Sequence, residues 1–279
     1  MSVEISNLSF TYAGTARKAL QDIDFTIPRG AFVGVVGPSG CGKTTLARCL
    51  NALIPHFYPG KMTGDVIVDG WNTQDHPAYE MAQKVGLVFQ NPENQLVAPN
   101  AEREIAFGPE NLGIPRGEIR NRVENLIHQI HLEDVRDKAP YELSGGEQQR
   151  IAIAAILALQ PAVLVLDEPT SNLDPVSAYE VLQLLRRLNQ DLKLTILLIE
   201  HRLEFVAPLV QELIVMNEGL IIAQGHPASV LTEKKVVDVG VAVPPLVQLI
   251  QKLGNEKLCR DFPLSVVDAV KAILQEVSG

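Results

Sequence analysis

Short unbroken apolar runs recur along this chain, and each ends in a polar or acidic residue. Residues 32–36, 84–90, 162–166 and 194–199 have the pattern of strands buried on both faces, the mark of a parallel sheet. They deliver Gly37, Gln90, the pair Asp167-Glu168 and the pair Glu200-His201 at their C-terminal ends, where open α/β sheets place their ligands. Residues 3–10 and 19–27 alternate in part and are separated by a turn around Gly14, in which Tyr12 stands; residues 64–70 form another strand between turn residues. The opening third therefore combines an antiparallel layer with buried strands. Residues 213–216 and 220–223, joined by Asn217-Glu218-Gly219, predict a hairpin.

Helical spacing fills the intervals. Residues 45–53 form a helix stopped near Pro55. From 102 to 139 the pattern is helical and polar, interrupted by Pro109 and Pro115, as in a helical subdomain inserted into the sheet domain. The most apolar helix, about 151–159, is opened by residues 141–150, and another runs from Ser171 to about Asn189. After Leu231 the composition shifts to Lys234-Lys235, Pro244-Pro245 and two amphipathic patterns at 246–253 and 264–276. The expected division is a main domain at 1–230, with its helical part at about 91–160, and a small helical extension at 231–279 that packs on the domain or on a partner.

Length and charge narrow the function. With 279 residues and 46% hydrophobic content, one large α/β domain with an appendage has a sizeable core. A net charge of −9 argues against nucleic acid as the main partner, where a basic stripe is expected. Cys41, Cys49 and Cys259 lack paired spacing, which points to a reducing compartment. The first residues carry no basic segment followed by an apolar one, so no signal peptide is expected. The most apolar region, 151–166, is broken by Gln160-Pro161, whereas a membrane helix needs about 20 apolar residues.

The chemistry concentrates in a few motifs. Gly37-Pro38-Ser39-Gly40-Cys41-Gly42-Lys43-Thr44-Thr45 fits the P-loop pattern, with the strand before it and the helix after it. Its glycines let backbone N–H groups surround a polyphosphate at a helix N-terminus; Lys43 supplies a cation, and the Thr44 hydroxyl is placed to ligate Mg²⁺. Ser144-Gly145-Gly146-Glu147-Gln148 has capping-box spacing, and two glycines at a helix start make a second anion site. Asp167 and Glu168 have separable roles, one holding the metal and the other orienting an attacking water. His201 lies in line with them. Tyr12 is read as packing, or as a ring that stacks on a nucleotide base. His128 and His131, on a common helix face, are read as solvated rather than metal-binding.

These motifs, in order over about residues 3–230, resemble the nucleotide-binding subunit of an ATP-binding-cassette (ABC) transporter; Leu143-Ser144-Gly145-Gly146-Glu147-Gln148 is the most specific of them. The resemblance implies a P-loop NTPase cassette of the α/β class, with a mixed central sheet, an antiparallel β layer and a helical subdomain. It also implies that Tyr12 stacks on adenine and that residues 37–45 are Walker A. Gln90 becomes the Q-loop glutamine at the Mg²⁺ and water site. Ser144 to Gln148 become the signature that closes on the other subunit's ATP. Asp167 becomes the Walker B aspartate, Glu168 the catalytic glutamate, Asp174 the D-loop aspartate and His201 the switch histidine. ATP and Mg²⁺ are the implied cofactors, and a second ATPase, an identical or a related chain, is the implied partner.

A narrower resemblance is to the ATPase of energy-coupling-factor (ECF) transporters, which import vitamins or cobalt and nickel ions. It rests on residues 89–96 with their second glutamine, on 104–111, and on Val243-Pro244-Pro245 before a Leu-rich helix. It implies a transmembrane coupling protein, a small membrane substrate-binding protein, and peripheral attachment at the cytoplasmic face of the membrane. The alternatives are the ATPase of another ABC transporter class, a non-transport ABC ATPase and a non-hydrolysing scaffold. The single cassette, without a long coiled coil between Gln90 and Leu143, opposes the second, and Glu168 opposes the third.

Overall fold

The computed structural model describes residues 1–241, 244–253 and 270. Its strands are β1 (Val3–Tyr12), β2 (Leu20–Ile27), β3 (Phe32–Val36), β4 (Gly60–Val68), β5 (Trp71–Asn72), β6 (Val85–Val88), β7 (Val163–Asp167), β8 (Thr195–Ile199), β9 (Glu212–Asn217) and β10 (Leu220–Gly225). They form two sheets. The antiparallel sheet runs β2-β1-β4-β5, and the central sheet runs β10-β9-β3-β8-β7-β6. In the central sheet all pairings are parallel except β9 with β10. That is the expected mixed sheet with an antiparallel layer.

The continuous apolar runs have a direct physical reason. Side chains alternate across a strand, and here both faces are covered. Leu164, Leu166, Ile196 and Leu198 enter one core, with the helices of the chain's middle. Val163, Val165, Leu197 and Ile199 enter the other, with the antiparallel sheet and the helix Lys43–Leu50. Each such side chain, fully buried, contributes roughly 1.5–3 kcal/mol. At the C-terminal ends polar residues appear where the strands leave both cores, which is at the site; the buried Thr195 opens β8 at the opposite end.

The middle of the chain forms the helices Ala101–Asn111, Arg116–Ile130 and Gly145–Leu157. Pro109 sits near the end of the first, and Pro115 caps the second from outside, so the prolines separate helices rather than break one. Arg136 ties them together, donating to Glu102 at 2.7 Å and to Glu124 at 2.7 Å. The helix Gly145–Leu157 packs hard on β6. A Cβ at Gly86 would lie 2.1 Å from Cγ2 of Ile156.

Some boundaries move. β1 runs on to Tyr12, so that residue ends a strand instead of standing in the turn. β4 starts at Gly60 rather than Gly64, because its pairing with β1 continues through the polar residues Lys61 and Thr63. The helix expected from Ser171 begins at Pro175 and extends to Leu192. After Leu231, Val236 and Val247 enter the same core as the middle helices. The pattern at 264–276, Val270 apart, lies outside the described residues, as does Cys259.

Candidate functional site

The P-loop is a backbone cradle with little spare room. Gly37 has φ +152° and Gly42 has φ +113°, both in the region that favours glycine. A Cβ on Gly37 would fall 2.1 Å from the Met216 carbonyl oxygen, and one on Gly42 would fall 2.5 Å from that of Ala19. The Cys41 carbonyl accepts from Gly219 N–H at 2.8 Å. The loop is thus braced by β9, by the hairpin turn after it and by the antiparallel sheet. Burial raises the Cys41 thiol pKa, with Lys43 pulling the other way.

Lys43 is 4% exposed. Its ammonium donates to the carbonyls of Gly37 at 2.8 Å and Pro38 at 3.0 Å. Those bonds offset the cost of burying the charge. They also hold Nζ inside the loop, where a phosphate would lie. Ser39, Gly40 and Thr44 are exposed at the rim.

Asp167, the last residue of β7, is buried, and its Oδ1 has no protein partner. The Thr44 side chain stands near the same carboxyl group and favours its charged form. Burial holds the Asp167 pKa above the ordinary carboxylate value; the Thr44 hydroxyl opposes this, and the Glu168 charge adds to it. A buried, orphaned carboxylate oxygen beside a hydroxyl offers the hard oxygen donors that Mg²⁺ takes, so these residues fit that ion.

Glu168 follows in a left-handed conformation, φ +53°, with its N–H held by the Ile199 carbonyl at 2.9 Å. Its Oε1 lies 2.6 Å from His201 Nε2, and its Oε2 accepts from Gln90 Nε2 at 3.1 Å. Three strand ends, β6, β7 and β8, thereby bring Gln90, Glu168 and His201 onto one carboxylate. Gln95 steadies the first of them: its Oε1 accepts from Phe89 N–H at 3.2 Å.

Tyr12 is joined to the P-loop helix. Its hydroxyl lies 3.1 Å from Thr45 Oγ1 and accepts from Arg48 at 3.2 Å. The ring packs edge-on against Phe10, with centroids 4.8 Å apart, and stays half-buried. These contacts hold the half-buried ring beside the P-loop helix.

The signature residues stand apart; among the described residues, no hydrogen bond joins 144–148 to the P-loop. The capping box is present. Glu147 N–H donates to Ser144 Oγ at 3.3 Å, and Glu147 Oε2 accepts from Ser144 N–H at 2.7 Å. The Ser144 hydroxyl and N–H hold the Glu147 carboxyl below the usual range. Gly145 is exposed, while Gly146 is pressed against the next helix; a Cβ there would be 3.0 Å from Ser177 Cβ. Asp174 caps that helix, its Oδ1 accepting from Val176 N–H at 2.9 Å and Ser177 N–H at 3.1 Å. His128 makes a surface contact with Glu133, at 3.0 Å.

One further residue at the β8 strand end has no role in the sequence motifs. Glu200, buried before His201, accepts from Thr170 and from His201 itself. The available signal was an acid closing an otherwise apolar strand.

Fold and site together define a P-loop nucleotide hydrolase of the cassette type. A family model described as ABC transporter matches residues 20–171. A Pyrococcus abyssi protein, provisionally named an ABC transporter ATP-binding protein, is 39% identical over 276 residues, covering 99% of each chain. A Methanosarcina mazei protein of the same provisional name is 44% identical over 254 residues; the match takes in 90% of this chain and 43% of that longer one. In solved structures, cbiO1 from Clostridium perfringens, part of the ABC transporter complex cbiONQ, is 32% identical at a TM-score of 0.76, covering 90% of this chain and 98% of that one. The cassette MJ0796, solved as a dimer after hydrolysis with ADP and phosphate bound, is 27% identical at a TM-score of 0.70, covering 81% of this chain and 98% of that one. The chain belongs to the ABC transporter family, as an ATP-binding and ATP-hydrolysing subunit. Among the described residues, no helix is long and apolar enough to cross a membrane.

Proposed function

We propose that two cassettes, this chain and an identical or related one, close head to tail on ATP and so drive a membrane partner of the ECF importer type. The observation that carries the chemistry is the convergence of Gln90 and His201 on Glu168 beside the Lys43 loop. Glu168 orients and polarises the attacking water. His201 stabilises charge on the γ-phosphate, and Lys43 exchanges its loop carbonyls for phosphate oxygens. Tyr12 takes the adenine face, and the backbone of residues 37–45 takes the phosphates. Thr44, Asp167 and Gln90 would hold Mg²⁺, which when bound supplies charge stabilisation at the transferring group. Ser144, Gly145, Gly146 and Gln148 of the opposite cassette complete the γ-phosphate site from a helix N-terminus, with Asp174 at the same interface. A site with half its donors on each chain explains why the signature stands apart from the P-loop here.

The partner reading rests on a groove of about 800 Å³ whose lining includes Leu96, Val97, Pro99, Tyr141 and Leu143, with Glu93 and Gln148 among them. Val97 is 67% exposed and Tyr141 86% exposed on its rim. Apolar side chains left in water beside the Gln90 segment suit a membrane subunit's cytoplasmic helix. The working division is a cassette at 1–230, its helical part at about 91–160, and an extension at 231–279 that makes a dimer or partner contact. The likeness to cbiO1, named as part of the ABC transporter complex cbiONQ, supports a multi-subunit transporter as the setting; a vitamin or transition-metal cargo and attachment at the cytoplasmic membrane face follow from the ECF resemblance of residues 89–96 and 104–111.

The deciding experiment is Glu168→Gln. The variant should bind Mg-ATP, lose about 100-fold or more in turnover and accumulate as a closed dimer on gel filtration. Near-normal turnover would sink the assignment. Co-purification separates subtypes. One coupling protein plus one small membrane protein supports the ECF reading, whereas a pair of large permeases supports another transporter class.

A further inference from the structure

Glu200 stands out as a buried acid with no cation. It is 2% exposed, and among the described residues it has no ion pair. A carboxylate taken out of water needs strong donors, or it costs several kcal/mol. Glu200 has three. Its Oε1 accepts from Thr170 N–H at 3.0 Å and from the Thr170 hydroxyl, and its Oε2 accepts from His201 N–H at 3.0 Å. Its own N–H donates to the Val35 carbonyl in β3, at 3.2 Å.

The partners decide what this carboxylate does. Thr170 belongs to the tight turn that follows Glu168, in which the Glu168 carbonyl accepts from Ser171 N–H at 3.2 Å. His201 is the residue whose imidazole meets Glu168 at 2.6 Å. One carboxylate therefore grips both chain segments on which the Glu168–His201 contact depends. Its backbone anchors that grip to the strand feeding the P-loop.

We propose that Glu200 is a positioning residue for hydrolysis: it sets the separation of Glu168 and His201 without touching ATP. The proposal rests on the roles given above to those two residues. A purely structural acid would be exchangeable at a cost in stability alone. A positioning acid changes the turnover of the bound state, since small misplacements of reacting groups are costly in rate.

The test uses steady-state ATPase kinetics and thermal unfolding of the full chain. Glu200→Gln keeps the shape but places an amide N–H₂ against either Thr170 N–H or His201 N–H, both donors. Expected is a fall in kcat of about 10- to 100-fold with KM for ATP within about 3-fold, and no trapped dimer. Should that variant not fold, Thr170→Val reports on the same grip by deleting one hydroxyl, and Thr170→Ser should restore turnover. In the double variant Glu200→Gln/Thr170→Val, the losses should be less than multiplicative, because both remove the same contact. Wild-type kcat with a lowered Tm in Glu200→Gln, or in Thr170→Val when the former does not fold, would overturn the proposal. If Glu168→Gln is inactive while these variants turn over normally, only the role of Glu200 fails; if Glu168→Gln itself is active, the reading of the whole site fails.

Discussion

Glu168 Oε1 and His201 Nε2 are 2.6 Å apart, at the ends of neighbouring parallel strands registered Asp167 to Ile199. The pairing register brings the two strand ends side by side, and the local grip on the residues that follow them completes the approach. Removing the imidazole should leave the strands in place and damage chemistry. His201→Ala is expected to lower kcat by about 100-fold, with ATP affinity near normal. Single-turnover kinetics alongside equilibrium binding separates the two effects.

Gly37 tests the cradle. Alanine there, on a backbone at φ +152°, meets the rigid Met216 carbonyl oxygen at 2.1 Å and the Cys41 Sγ at 2.8 Å. Gly37→Ala should cost about 2 kcal/mol or more in stability, and should abolish ATP binding even where the fold survives. Chemical denaturation and a fluorescent-nucleotide titration give the two readouts.

Asp167 predicts a pH effect with a defined sign. Its folded pKa is raised, chiefly by burial, above the unfolded value. The neutral form is therefore favoured by folding, and that stability is present below the unfolded pKa and lost as pH rises through the folded one. At neutral pH the ionised group is a burden on the free protein. Asp167→Asn should raise the nucleotide-free Tm at pH 7, and the gain should vanish in acid. Mg²⁺-dependent ATP binding should weaken in the same variant.

Two half-sites on one chain can be separated genetically. Lys43→Ala disables the P-loop half, and Ser144→Arg blocks the signature half. Each alone should be inactive. Equal mixtures should recover roughly a quarter of the wild-type rate, since half the dimers are mixed and each keeps one intact site of two. No recovery would argue against the head-to-tail arrangement. Ser144→Ala additionally loses the helix cap, worth about 1 kcal/mol.

Much of this was legible because buried parallel strands cannot hide: both faces of β3, β7 and β8 are apolar, so a polar residue at their ends marks the exit. Motif spacing placed Lys43, Asp167 and Ser144 in context. Extents failed where pairing, not side-chain pattern, prolongs an element, as at Lys61 and Thr63 in β4. Glu200 escaped because a lone acid at a strand end looks like a solvated terminus until its donors are seen. The anchoring of Tyr12 to Thr45 joins residues far apart in sequence, and no local pattern encodes it.

β3, which carries the P-loop, pairs on one side with Thr195–Ile199 and on the other with Glu212–Asn217. The loop itself is closed by Gly219. During synthesis the ATP-binding motif therefore emerges early, yet its walls are made last. A nascent chain that stops short of the final hairpin carries the whole of Walker A but lacks β9 and the Gly219 contact that close it. Nucleotide binding in this fold reports a finished cassette, and a truncated product should not compete for ATP or lock a partner into an idle complex.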